Sequence, residues 1–116
     1  MSERGEKEVV NDIKEAAERI ETYIKSMNYE DFLNDIRTQD AVVRNIEIIG
    51  EAVKNLTQAF KQIHNDIEWK KIAGMRDKIV HSYFGVNLDV VWKTSTTNIP
   101  ELTEKIKSIL FNIEEI

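Results

Sequence analysis

Residues 38–64 read TQDAVVRNIEIIGEAVKNLTQAFKQIH, and their spacing decides the fold class. Val42, Ile46, Ile49, Val53, Leu56, Phe60 and Ile63 recur at steps of four and three. That is the period of a helix with one apolar face. Ala41, Ile48, Ala52 and Ala59 lie beside this stripe and widen it. So broad an apolar arc belongs to a central helix or to one that packs on a second subunit. Thr38 is placed to cap its start, and Asp40 suits the positive end of the helix dipole. Arg44, Glu47 and Glu51 line the more polar side, where they are either solvated or border a site.

The same period appears on both sides. Val9, Ile13, Ala16 or Ala17, Ile20, Ile24 and Met27 predict a first helix over about 6–27, broken at Asn28-Tyr29-Glu30-Asp31. Phe32 and Leu33 follow as a plug for the bundle end. Ile99, Leu102, Ile106, Ile109, Ile113 and Ile116 predict a last helix, with Pro100 in its first turn. Between them, Asp66 is placed to cap a segment starting at Ile67-Glu68-Trp69, and Gly74 to interrupt it. A helix over Arg76–Tyr83 is expected to end at Gly85. Asn87 or Asp89 starts a further helix that fades in Thr94-Ser95-Thr96-Thr97. The expected fold is all-α: an antiparallel up-and-down bundle of four to five helices plus short helical turns, in one domain over 1–116.

Composition narrows the function. The 116 residues suffice for one modest core. There is no cysteine, which excludes disulfides and thiolate metal sites. No apolar run reaches membrane-spanning length and the N-terminus lacks the apolar core of a signal peptide, so a cytoplasmic location without membrane contact is expected. The net charge of −5 opposes non-specific nucleic-acid binding by the whole surface. It is uneven, however. Residues 1–50 carry 7 basic and 12 acidic side chains, and residues 51–116 carry 9 of each. Within Trp69–His81, Lys70, Lys71, Arg76 and Lys78 face only Asp77 as an acid, so a phosphate would be drawn there.

The chemistry-bearing side chains sit in Arg76-Asp77-Lys78-Ile79-Val80-His81-Ser82-Tyr83. At about 100° per helical residue, Asp77 and His81 share one face and Arg76 and Tyr83 another. Arg76 and His81 lie about 140° apart, so one helix does not aim both at one atom. His64 and His81 have no metal-ligand spacing, and no phosphate loop or nucleophile elbow is present. Arginine plus histidine remain. Arginine grips phosphate through a planar fork, and imidazole moves protons near neutral pH. Together they suit metal-free RNA cleavage, which needs a base and an acid. A two-fold dimer would supply two histidines to one cleft. Against this, a lone histidine near a helix C-terminus usually serves the dipole, and a lone Arg-Asp pair is usually a surface ion pair.

This segment resembles the HEPN superfamily motif Arg-polar-x-x-x-His. More closely it resembles HepT, the toxin of HepT–MntA toxin–antitoxin pairs, in its Arg-x-x-x-x-His-x-Tyr form. The likeness extends to Phe32–Asp35, to the run from Asp40 to Ala52, to Trp69–Arg76, to Tyr83-Phe84-Gly85-Val86 and to Trp92. Family members often carry prolines before the tryptophan, and residues 64–68 have none. The resemblance implies a helical bundle that dimerises along its motif helices, and a metal-independent RNA endonuclease needing no cofactor. Arg76 and His81 would be catalytic and Asp77 supporting. Lys70, Lys71 and Lys78 would meet RNA phosphates. The implied partner is an MntA-like nucleotidyltransferase antitoxin that transfers AMP to Tyr83. A bulky anion on the Arg76 face would block RNA. The rival expectation is a non-catalytic HEPN module that docks a nucleotidyltransferase or binds a nucleotide.

Overall fold

The computed structural model describes residues 5–81 and 85–115, without the side chains of residues 80, 81, 114 and 115. Three long helices, α1 (Glu6–Ile24), α3 (Ile36–Lys54) and α8 (Ile99–Glu115), make an all-α bundle. α1 packs against both α3 and α8. Val10, Ile13, Ala17 and Ile20 of α1 are fully buried with Val42, Ile46, Ile49 and Val53 of α3 and Ile99 and Ile106 of α8. Most of the apolar positions read from sequence in these helices therefore form the core, and Ile116 lies outside the described residues. Ile46→Ala is expected to cost about 2–5 kcal/mol of stability through lost burial and a residual cavity. Urea unfolding followed by circular dichroism would measure it, and a loss under about 1 kcal/mol would show that the site collapses.

The long apolar stripe does not belong to one helix. α3 ends at Lys54, and a separate short helix, α4 (Gln58–Ile63), starts at Thr57. The Thr57 hydroxyl accepts the backbone N–H of Phe60, so local capping competes with continuation of the helix. Leu56 is still buried, but Ile63 is 75% exposed and leaves the core. The cap of α3 is Asp35, not Thr38. Its carboxylate accepts both the backbone N–H and the hydroxyl of Thr38, which lowers its pKa. α1 stops at Ile24, and Asn28 caps a short α2 (Tyr29–Leu33) through a reciprocal bond with Asp31. Phe32 plugs the bundle against Trp92, while Leu33 is exposed.

α5 (Trp69–Ala73) and α6 (Met75–Ile79) are divided at Gly74 as expected. Glu68, not Asp66, holds the N-cap position of α5 and makes no side-chain cap. α7 (Leu88–Lys93) is capped by Asn87, whose side chain accepts the Val90 N–H. The threonine run does not fade. It forms a π-helical turn over Thr94–Asn98 that leads directly into α8. Val91 and Ile99 are both fully buried although eight residues apart. In an α-helix, eight residues overshoot two turns by about 80°. The wider π turn absorbs that excess. The Thr96 hydroxyl donates to the Trp92 carbonyl within this turn. No helix among the described residues is long and apolar enough to cross a membrane.

Candidate active site

The motif segment is not one helix. α6 ends at Ile79, and β1 (Val80–His81) pairs antiparallel with β2 (Gly85–Val86), His81 opposite Gly85. Gly85 has φ +81°, so it starts β2 in a conformation that glycine adopts freely, instead of closing a helix. The Asn87 N–H donates to the Ile79 carbonyl at 2.7 Å and closes the base of this hairpin. The expected helical face shared by Asp77 and His81 is therefore lost, as is the helix-dipole effect on His81. The angular separation of Arg76 and His81 on one helix no longer applies either. Tyr83 lies outside the described residues.

Arg76 is held from α3. Its Nε donates to Glu47 Oε2 at 3.2 Å, and Nη1 lies 3.7 Å from Asp77 Oδ1. The Arg76 side chain is 52% exposed. The guanidinium has five donors, so the Nε contact leaves its outer fork able to meet a phosphate. A hollow of about 320 Å³ surrounds it, with Gly50, Glu51 and Lys54 of α3 on one side and Ala73 and Asp77 on the other. Gly50 makes this approach possible. A Cβ there would stand 3.2 Å from the Ala73 carbonyl oxygen.

Glu47 also lines a second hollow of about 260 Å³ with Asp40, Val43, Val86 and Leu88. The outward face of α3 thus runs under both Arg76 and the hairpin that carries His81. Glu47 is the member of this site whose role the sequence left open. Its signal was its place on the polar side of α3, but a pairing 29 residues distant has no local signature. Arg44 is exposed, and Glu51 lines the Arg76 hollow. Asp77 is 83% exposed and pairs with Arg76.

The lysines expected to meet phosphate divide. Lys71 pairs with Glu68 at 2.8 Å, which raises the pKa of Lys71 and lowers that of Glu68. Lys70 and Lys78 form no ion pair among the described residues and line a separate cleft with Lys71. No group of three His, Cys, Asp or Glu side chains among the described residues gathers as a metal-ligand set.

Residues 13–109 match the family described as Ribonuclease HepT-like. The chain belongs to that family. It is 47% identical over 106 residues to a protein of Thermococcus cleftensis named "Probable ribonuclease HepT", covering 91% of this chain and 96% of that one. It is 51% identical over 87 residues to a protein of Caldanaerobacter subterraneus named "Putative RNase", covering 75% and 78% of the two chains. A Methanocaldococcus jannaschii relative with the same description is 40% identical over 114 residues, 98% of this chain and 94% of its own. No solved structure matches. Family membership agrees with the resemblance carried by the Arg76–Tyr83 motif.

Proposed function

We propose that this chain is a metal-independent RNA endonuclease that works as a homodimer with Arg76 and His81 in a composite cleft. The observation that carries the reading is the Arg76 guanidinium. It is fixed from α3 by Glu47, half exposed, on the helix that runs into the His81 strand. One imidazole takes the proton of a ribose 2′-hydroxyl, and the 2′-oxygen attacks the adjacent phosphorus. The bond from phosphorus to the 5′-oxygen breaks, and the second protomer's imidazolium protonates that oxygen. The products are a 2′,3′-cyclic phosphate and a 5′-hydroxyl. Arg76 offsets the charge that grows on the phosphoryl oxygens. Asp77 supports Arg76 in this scheme, since their side chains meet. Lys70, Lys71 and Lys78 bind flanking phosphates.

The test is RNA cleavage by the purified dimer in excess EDTA, with the new ends analysed and the protein's intact mass recorded. Cyclic phosphate ends from unmodified protein support the reading. No cleavage by a folded, unmodified dimer would move the assignment to a docking module for a nucleotidyltransferase.

In the same reading the toxin is neutralised when a nucleotidyltransferase antitoxin transfers AMP to Tyr83. Tyr83→Phe is expected to cut RNA at close to the wild-type rate and to gain no AMP mass on incubation with ATP and the partner. AMP on that variant would require another acceptor.

A further inference from the structure

We infer that the cleft between α4 and the α5–α6 segment is a second RNA-binding site, which holds single-stranded nucleotides flanking the bond that is cut. The inference rests on the ribonuclease reading above and adds a substrate path to it. The cleft measures about 930 Å³, near the upper end of ordinary ligand pockets. Gln58, Lys61 and Gln62 of α4 form one wall, with Asn65 just beyond. Lys70, Lys71 and Lys78 form the other.

Charge complementarity favours a polyanion. The whole chain carries −5, yet this cleft has four lysines against one acid, Glu68. Glu68 is engaged by Lys71, and Lys61, Lys70 and Lys78 form no ion pair among the described residues. Between the lysines lie amides, which hydrogen-bond base edges and sugar hydroxyls, and the half-buried Ala73. A positively charged groove that tracks the backbone is the electrostatic half of a single-strand site, and here the amides take the place of aromatic platforms.

The position joins the cleft to the cleavage site. Ala73 lines both this cleft and the Arg76 hollow. Arg76 and Lys78 lie two residues apart on α6, roughly 200° around its axis, so they serve opposite sides of one short helix. Gly74, at the junction of α5 and α6, lines the cleft beside Ala73. A strand held by the lysines therefore reaches the Arg76 hollow across Ala73, which borders both. The cleft is also built in advance. The Trp69 indole N–H donates to the His64 carbonyl, and the Lys105 ammonium to the Asp66 carbonyl, fixing the connection behind Asn65. A preformed groove loses less ordering entropy on binding.

The probe is fluorescein-labelled, fully 2′-O-methyl RNA, which lacks the attacking hydroxyl. Its anisotropy would be followed for a dinucleotide and for an oligonucleotide of about ten residues. Wild type is expected to gain affinity with length. Lys61→Glu/Lys70→Glu should bind the longer strand at least about tenfold more weakly and lose most of that gain. The milder Lys61→Gln/Lys70→Gln, checked by thermal melting, should lower the salt slope of binding by about 1.4, two phosphate contacts for a single strand. Unchanged affinity and slope in both variants, while wild type binds and cuts RNA, would overturn the inference and leave the ribonuclease reading standing. Variants that keep RNA and lose only the nucleotidyltransferase would overturn it in the same way. If wild type neither binds nor cuts RNA, the ribonuclease reading falls, and this inference with it.

Discussion

Replacing His81 by alanine is expected to leave a folded protein that binds RNA and does not cut it. In the proposed cleft this one residue is both the base and, from the second protomer, the acid, so one substitution removes both proton transfers. Each is commonly worth a factor of about 10²–10⁴. Single-turnover cleavage in EDTA would read the loss, and anisotropy with the uncut strand would show that binding persists. His81 sits in the two-residue strand β1, whose hairpin is closed at its base by the Asn87 N–H, while the core is built from the long helices, so the bundle should melt near the wild-type temperature. Cleavage by His81→Ala at more than about a tenth of the wild-type rate would remove the histidine from the chemistry.

Arg76→Ala is expected to lower the cleavage rate by about 10²–10³, the usual loss when a donor to developing oxyanion charge is removed. Arg76→Lys should recover little of it. An ammonium is a point charge, and it cannot hold Glu47 and a phosphate at once as a planar fork does. The rival is that Arg76 is only the surface partner of Glu47, an exposed pair worth little. Glu47→Gln separates the two. If the guanidinium touches phosphate, Glu47→Gln should keep most of the activity that Arg76→Ala loses. Equal losses in the two variants would reduce Arg76 to a structural role.

The core was legible because it is periodic. Val42, Ile46, Ile49 and Val53 announce their burial by spacing alone, as do Ile13 and Ile20. What failed to show were departures from that period caused by single local bonds. Thr57 divides a stripe that looks continuous, because a cap on Phe60 N–H outweighs an apolar pattern that ends at the exposed Ile63. The π turn hides in the β-branched run from Thr94, where the only signal is the wide step from Val91 to Ile99. The candidate site could be named from the sequence as a set of side chains and not as geometry. Arg76 was chosen as a candidate for its chemistry, but its partner Glu47 is a pairing across the fold. The hairpin at His81 follows a helix that stops at Ile79, and nothing in the alternation of residues 76–83 marks that stop.

The π turn has a mechanical consequence. Because it keeps α7 and α8 in phase, the 28 residues from Leu88 to Glu115 behave as one continuous strut. Its near end begins at Asn87, the residue that closes the base of the His81 hairpin, and its far part lies along α1. A load applied at the His81 hairpin is thus carried down the length of the molecule instead of being taken up by a local hinge. A chain of 116 residues has little mass with which to brace so short a hairpin, and here the C-terminal helix acts as the splint.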